Sequence, residues 1–162
     1  MNFKFNAEHT FFTSDTHFNH ANIIKFCNRP FKDVEQMNDV MIANWNSVIG
    51  KDDTVFHLGD FCLGGAAEWT KILDRLNGKI YLIMGNHDLK NIRQGFISRF
   101  EHVAMQMRIE IGKNTYATIP FSVLRAAIRM MFGSCSDTSI PEGAIQALMP
   151  EDSRISIRHN TT

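Results

Sequence analysis

The hydrophobic residues of this chain fall into short runs that each end in a polar cluster. Three such runs are TFFTSDTH (Thr10 to His17), TVFHLGD (Thr54 to Asp60) and KIYLIMGNHD (Lys79 to Asp88). Their aromatic and β-branched residues are typical of buried strands. Residues 32–50 and 66–78, which separate the three runs, carry apolar side chains at helical spacing. The order strand, helix, strand, helix, strand predicts an α/β fold with a largely parallel sheet.

The pattern changes after residue 100. Apolar and mostly polar residues alternate from Val103 to Ile111, and a Gly-Lys-Asn sequence follows, which predicts an antiparallel hairpin. Residues 89–100 and 123–132 have a helix-like pattern, and the remaining tail is interrupted by Ser, Thr and Pro. We expect residues 1–162 to form a single domain, because a chain of this length can bury one core.

Charge and cysteine content give no indication of several classes of partner. Seventeen basic and seventeen acidic side chains give no net charge, so a broad surface for nucleic acid or acidic membranes is not indicated. The three cysteines show no CxxC spacing, and the chain has neither a signal-peptide pattern nor a long apolar run. We therefore expect a cytoplasmic protein that does not use a membrane; nucleic acid stays open as a partner, as does the oligomeric state.

The polar clusters at the ends of the three predicted strands carry the candidate chemistry. Asp15 and His17 are two residues apart, so both side chains can face one metal ion. Asp60 and the Asn86-His87 pair each follow closely after a glycine, where the backbone can turn and project them over the sheet edge. In parallel sheets, ligands gather at this edge. Oxygen and imidazole donors together favour Mn, Zn or Fe over calcium.

Each cluster taken alone also has an ordinary structural explanation. Asp-x-His is commonly a turn with a hydrogen-bonded histidine, Asp60 can cap a neighbouring element, and Asp88 can cap the next helix. His20 can reach a substrate phosphate or be an exposed loop histidine. His57 and Cys62 are better explained as structural residues of the interior. The occurrence of three clusters at three strand ends favours a shared metal site.

The motifs DTH, GDF and GNHD, in this order and with helices between them, resemble the calcineurin-like metallophosphoesterase family. NRPF (Asn28 to Phe31) and NWN (Asn44 to Asn46) are similar to a compact bacterial and phage branch, and the likeness covers roughly the first 110 residues. The resemblance implies a sandwich of β-sheets flanked by helices around two divalent ions. It also implies that Asp15 and His17 bind the first ion, Asp60 bridges, and Asn86 binds the second.

The implied reaction is the hydrolysis of a phosphomonoester or phosphodiester, with a small-molecule or nucleotide phosphoester as substrate. A hydroxide bridging two Mn, Zn or Fe ions would attack phosphorus. His87 would protonate the leaving oxygen, and Asp88 would orient or tune His87. The alternative is a catalytically impaired remnant or a binding module that uses the same crevice. A Rossmann-like nucleotide binder is disfavoured, because no glycine-rich loop follows the first strand.

The last third of the chain departs from the family pattern. The family carries late histidines in His-Tyr-Pro-like and Gly-His-x-His segments, whereas this chain has only His159 after His102. The chain is thus family-like to about residue 115, and residues 116–162 form an atypical tail, which leaves the C-terminal part of the sandwich incomplete. Each ion would lose ligands as a result.

We hypothesise that a one-nucleotide loss or two-nucleotide gain near the codons for Lys113 to Tyr116 shifted the reading frame. Read from the third nucleotide of each codon, Tyr116 to Phe121 permits Cys-His-Tyr-Pro-Phe. In the same frame Arg129 to Pro141 permits a segment that contains Gly-His-Val-His. Met130 and Met131 have single codons and force Asp-Val there. Sequencing the coding DNA tests this: we expect histidine codons at those places in the shifted frame, and other codons would refute the hypothesis.

Overall fold

The computed structural model describes residues 3–85, 87–89, 99–111 and 114–118. The strands in these ranges are β1 (Phe3–Phe5), β2 (Thr10–Thr13), β3 (Thr54–His57), β4 (Lys79–Ile83), β5 (His102–Ala104), β6 (Met107–Ile111) and β7 (Asn114–Thr118). The α-helices are α1 (Ala21–Phe26), α2 (Val34–Val48) and α3 (Ala66–Leu73), and a 3-10 turn covers Ala7–His9.

The strands form two sheets. The larger sheet has the order β2-β3-β4-β5 and is parallel throughout. In the smaller sheet, of order β1-β6-β7, β1 is parallel to β6 and β7 is antiparallel to it. Because β2, β3 and β4 run in the same direction, the segments that follow them meet at one edge of the larger sheet.

Helices cover one face of the larger sheet. The α2 helix begins after Asp33, whose carboxylate accepts the N–H of Gln36 at 2.8 Å. Its apolar face packs with α3 against the sheet, in a cluster of buried residues: Phe18, Ile42, Phe61, Cys62, Trp69, Ile72, Leu73, Ile80, Leu82 and Phe100. Full burial of one large apolar side chain stabilises the fold by about 1.5–3 kcal/mol.

The NWN motif fastens α2 to the segment that follows α3. The indole N–H of Trp45 donates to the carbonyl oxygen of Asn77 at 2.9 Å. Asn46 accepts the N–H of Asn77 at 2.9 Å and donates its amide to the carbonyl oxygen of Arg75 at 2.7 Å. The motif therefore has a structural function, since it fixes how the chain enters β4.

A second apolar layer lies between the two sheets. Phe56 is fully buried at its centre, with the ring of Phe5 at 5.0 Å edge-on and the ring of Phe12 at 5.2 Å stacked. Ile83 from the larger sheet and Ile109 from the smaller belong to the same cluster. The helix layer and this layer together bury both faces of the parallel sheet, as its near-continuous apolar strands require.

The predicted α/β sandwich of sheets and flanking helices is confirmed, with one difference in strand assignment. The alternating segment from Val103 to Ile111 breaks at Met105, where β5 joins β4 in the larger sheet and β6 crosses to the smaller one. The antiparallel pairing of β6 with β7 is as expected. The sequence pattern did not predict α1 or β1, which are short.

Two expected helices fall wholly or largely outside the described residues, namely those at 89–100 and 123–132, as does most of the tail from 116. The single-domain organisation of residues 1–162 stays a prediction. Within the described ranges, no helix has the length and apolar content needed to cross a bilayer.

His57 is a buried neutral group beside the strand ends. The Thr16 hydroxyl donates to the carbonyl oxygen of Phe61 at 2.8 Å, so it accepts from Nε2–H of His57 at 3.0 Å. The His57 ring also meets the Phe61 ring edge-on at 5.1 Å. Burial, reinforced by the nearby His17, lowers the pKa of His57 to about 3. His57 therefore supports the interior, in agreement with its expected structural role.

The lowered pKa of His57 makes stability depend on pH. The ordinary value is 6.5, so the folded chain binds fewer protons than the unfolded chain between pH 6.5 and about 3. The contribution is complete above pH 6.5 and declines as the pH falls, by up to about 1.4 kcal/mol per pH unit. We expect His57→Gln, which keeps a donor for Thr16, to flatten this slope in urea unfolding at pH 7, 6 and 5. An unchanged slope would contradict the assignment.

Candidate metal centre

Backbone hydrogen bonds extend the pairing of β2 and β3 beyond the ends of the strands. The N–H of Asp15 donates to the carbonyl oxygen of Gly59 at 2.9 Å, and the N–H of His17 donates to that of Asp60 at 3.0 Å. Phe18 continues the series with Phe61 at 2.9 Å. The two loops are therefore held in register with each other, and their acidic and imidazole side chains are placed by the sheet.

Three of these loop residues adopt the left-handed backbone conformation. Their φ angles are 54° at Asp15, 50° at His17 and 55° at Asp60. Such conformations cost on the order of 1–3 kcal/mol each for a residue with a side chain, and they concentrate at functional sites. The strain thus falls on three of the four residues that the sequence predicts as metal ligands.

The side chains of Asp15, His17 and Asp60 converge. One potential ligand atom from each lies within 4.8 Å of the other two. Nε2 of His17 is 3.8 Å from Oδ1 of Asp15 and 4.0 Å from Oδ2 of Asp60. Donor atoms bound to one cation at about 2.0–2.2 Å are separated by roughly 3–4 Å. The set therefore fits a divalent metal, and burying two carboxylates side by side calls for such a positive charge.

Two glycines bring the loops after β3 and β4 into direct contact. A Cβ added to Gly85 would lie 2.4 Å from Oδ1 of Asp60, and one added to Gly59 would lie 2.7 Å from the backbone nitrogen of Gly85. Gly59 also has a φ of 101°, a region that favours glycine. Asp60 thus occupies space that a side chain at residue 85 would fill.

The Asp88 carboxylate joins the same two loops. One oxygen accepts the N–H groups of Asp60 at 2.7 Å and Gly85 at 2.8 Å, and the other accepts the N–H of Phe61 at 3.0 Å. Burial raises the pKa of Asp88 to about 6, although the three hydrogen bonds act in the opposite direction. Because both oxygens bind backbone groups, Asp88 fixes the backbone of Asp60 and leaves the Asp60 side chain to face His17.

The rings of His87 and His20 both lie near the ring of His17. Their ring centres are 5.8 Å and 5.4 Å from that of His17. The backbone N–H of His87 donates to Oδ1 of Asp60 at 3.1 Å, and the residue is exposed. Burial, followed by electrostatic interaction with His87 and Arg29, lowers the pKa of His20. Both imidazoles border the cluster, whereas Asn86, the expected ligand of the second ion, lies outside the described residues.

Sequence reasoning missed two groups that support the site. Thr16, between the two ligands of the DTH motif, binds His57 and Phe61 through its hydroxyl. Arg29 donates to the backbone carbonyl oxygens of Asp15 and Thr16. The NRPF motif drew attention to Arg29, but its sequence does not predict which groups the guanidinium contacts.

Cys62 is buried, as predicted. Its thiol donates to the carbonyl oxygen of Leu63 at 3.4 Å, and burial raises its pKa. The chain therefore keeps a protonated thiol next to the Asp60 loop.

Comparisons with known proteins identify a family and several relatives. Residues 9–136 match the model of the family described as calcineurin-like phosphoesterase. Over 77 residues, 46% of this chain and 44% of the relative, 56% of residues are identical to the uncharacterised protein MJ1445 of Methanocaldococcus jannaschii. Gene 66 protein of Mycobacterium phage L5 is 34% identical over 113 residues, which cover 63% of this chain and 54% of that protein.

A solved structure shows the same fold. The crystal structure of the protein of unknown function AQ665 from Aquifex aeolicus superposes with a TM-score of 0.56 at 31% identity, covering 67% of this chain and 57% of that one. The phage relative fits the predicted compact branch. The chain spans about half the length of these three proteins.

The contact between Gly85 and Asp60 can be tested by adding one methyl group. We expect Gly85→Ala to displace Asp60, to lower the free energy of unfolding by about 1–3 kcal/mol, and to weaken Mn²⁺ binding. Gly65→Ala is the matched control, because its Cβ would meet Glu68 at 3.4 Å, an ordinary contact. Urea unfolding and calorimetric Mn²⁺ titration measure both effects. Equal Mn²⁺ affinity in the two variants would contradict this account.

Proposed function

Because the chain belongs to the calcineurin-like phosphoesterase family, we propose that it hydrolyses a phosphomonoester or phosphodiester with the help of divalent metal ions. The observation that carries the proposal is the convergence of Asp15, His17 and Asp60, three buried residues with ligand atoms within 4.8 Å of one another. Members of this family use divalent metals, and the donor set suits Mn, Zn or Fe.

The proposed ligands divide between two ions. Asp15 and His17 hold the first, Asn86 holds the second, and Asp60 contributes to both. The orientation of Asp60 supports this division, because its Oδ2 faces His17 while its Oδ1 lies on the side of His87. Bound ions would supply activation of the attacking water and would offset the negative charge of the phosphoryl oxygens.

His87 is the proposed catalytic residue that delivers a proton to the leaving oxygen. Its backbone is fixed by the hydrogen bond to Asp60, and its exposed ring lies at the border of the site, where a substrate can approach. Asp88 acts as a positioning residue. It accepts the backbone N–H groups of Asp60 and Gly85, and so fixes the backbone next to His87. His20 is a further candidate to contact the substrate phosphate.

The substrate and the setting belong to the same proposal. A small-molecule or nucleotide phosphoester fits a site without a broad positive surface, since the chain has no net charge. The free thiols of Cys27 and Cys62 suit a reducing cytoplasm.

Hydrolysis of p-nitrophenyl phosphate and bis-p-nitrophenyl phosphate with Mn²⁺, Zn²⁺ or Fe²⁺ tests the proposal. We expect turnover of at least one ester, its loss in Asp60→Asn, and a fall in kcat of about 10²–10⁴-fold in His87→Gln. His9→Gln is the control, because His9 is an exposed histidine that is paired with Asp53 and precedes β2, whereas the site follows β2.

The alternative, a binding module or remnant without turnover, predicts a different result. Mn²⁺ would still bind and Asp60→Asn would still weaken that binding, but neither ester would be hydrolysed with any of the three ions. Activity that survives in Asp60→Asn would contradict both versions.

A further inference from the structure

The carbonyl oxygens of the DTH motif are held by a side chain that the proposed reaction does not use. Nη1 of Arg29 donates to the carbonyl oxygen of Thr16 at 2.9 Å, and Nη2 donates to that of Asp15 at 3.1 Å. Arg29 is half-buried. Two donors of one rigid guanidinium thus bind two consecutive peptide groups, which lie between the two ligand side chains.

The local backbone explains why these peptide groups need such a partner. The left-handed residues Asp15 and His17 flank Thr16. Their N–H groups pair with the loop after β3, whereas the Asp15 and Thr16 carbonyl oxygens point toward Arg29. A buried carbonyl without a partner costs about 1–3 kcal/mol, and a charged donor restores more than a neutral one.

The chain around Arg29 is built to aim the guanidinium inward. Asn28 has a left-handed φ of 48°, which ends α1 and turns the chain back. The N–H of Arg29 donates to the carbonyl oxygen of Ile24 at 2.9 Å. The sulfur atoms of Met37 and Met41 lie 3.6 Å and 3.8 Å from Nη1, so α2 supports the side chain.

We infer that Arg29 is a positioning residue of the metal centre, which clamps the Asp15 and Thr16 carbonyl oxygens so that the side chains of Asp15 and His17 face one ion. This inference rests on the proposed metal-dependent function. A lysine cannot replace the arginine fully, because its single ammonium group lacks the fork that reaches both oxygens.

Hydrogen exchange in the metal-free protein tests the clamp directly. In Arg29→Met we expect the amides of Asp15 and His17, which pair with Gly59 and Asp60, to exchange at least about tenfold faster, as loss of a charged hydrogen bond implies. The amides of β3 should keep their protection. Arg108→Met, a change at an exposed arginine of β6, is the control.

Metal binding supplies the second measurement. By calorimetric titration with Mn²⁺ alone, we expect Arg29→Met to bind about 10–100-fold more weakly than Arg108→Met, and Arg29→Lys to fall between them. Ethylguanidinium added to Arg29→Ala should restore part of the affinity, which a general packing defect would not allow.

Three results would overturn the inference. One is equal exchange and equal Mn²⁺ affinity in Arg29→Met and Arg108→Met. Another is loss of protection throughout β3, which would show a general packing role. The third is a raised KM with unchanged exchange and affinity, which would indicate direct substrate contact. If the wild-type chain binds no Mn²⁺, the proposed function is wrong. Hydrogen exchange in Arg29→Met would still show whether Arg29 holds the DTH backbone.

Discussion

The metal centre depends on one buried carboxylate that is not itself among the proposed ligands. Asp88 accepts hydrogen bonds from the backbone of Asp60, Phe61 and Gly85, and so joins the segments that follow β3 and β4. Bonds of this charge-assisted type contribute about 1.5–3 kcal/mol each, which offsets part of the cost of burying the charge. With its backbone held from behind, Asp60 can present its side chain to His17 in a conformation that an unsupported loop would not maintain.

The backbone of Asp15 and His17 is also held by distant partners. Asp15 and His17 are held in left-handed conformations, and the free energy that this strain costs is recovered from partners elsewhere in the fold. The β3 loop binds their N–H groups, and Arg29 binds the carbonyl oxygens between them. The parallel sheet supports this arrangement, because both loops follow adjacent strands that are paired with each other. The fold itself thus sets the geometry of the candidate ligands, as efficient metal sites require.

Membership of the calcineurin-like phosphoesterase family agrees with what the described residues can do. Three ligand atoms gathered in a buried pocket of mixed oxygen and imidazole donors suit metal-assisted phosphoester chemistry. The chain spans about half the length of the relatives that it matches, and His159 is its one histidine after His102. The strands and loops that form one side of the centre are nevertheless in place.

The sequence alone determined the three parallel strands, α2, α3 and the candidate ligands Asp15, His17 and Asp60. Periodicity and short motifs are local properties, so they can be recognised without knowledge of the tertiary contacts. It could not decide that the alternating run from Val103 to Ile111 divides between two sheets, since alternation is the same in either sheet. Nor could it show that Asp88 binds backbone groups 27 and 28 residues away, or that Arg29 reaches the DTH motif. Those contacts join segments distant in sequence, and only packing of the helices and loops around the sheet brings them together.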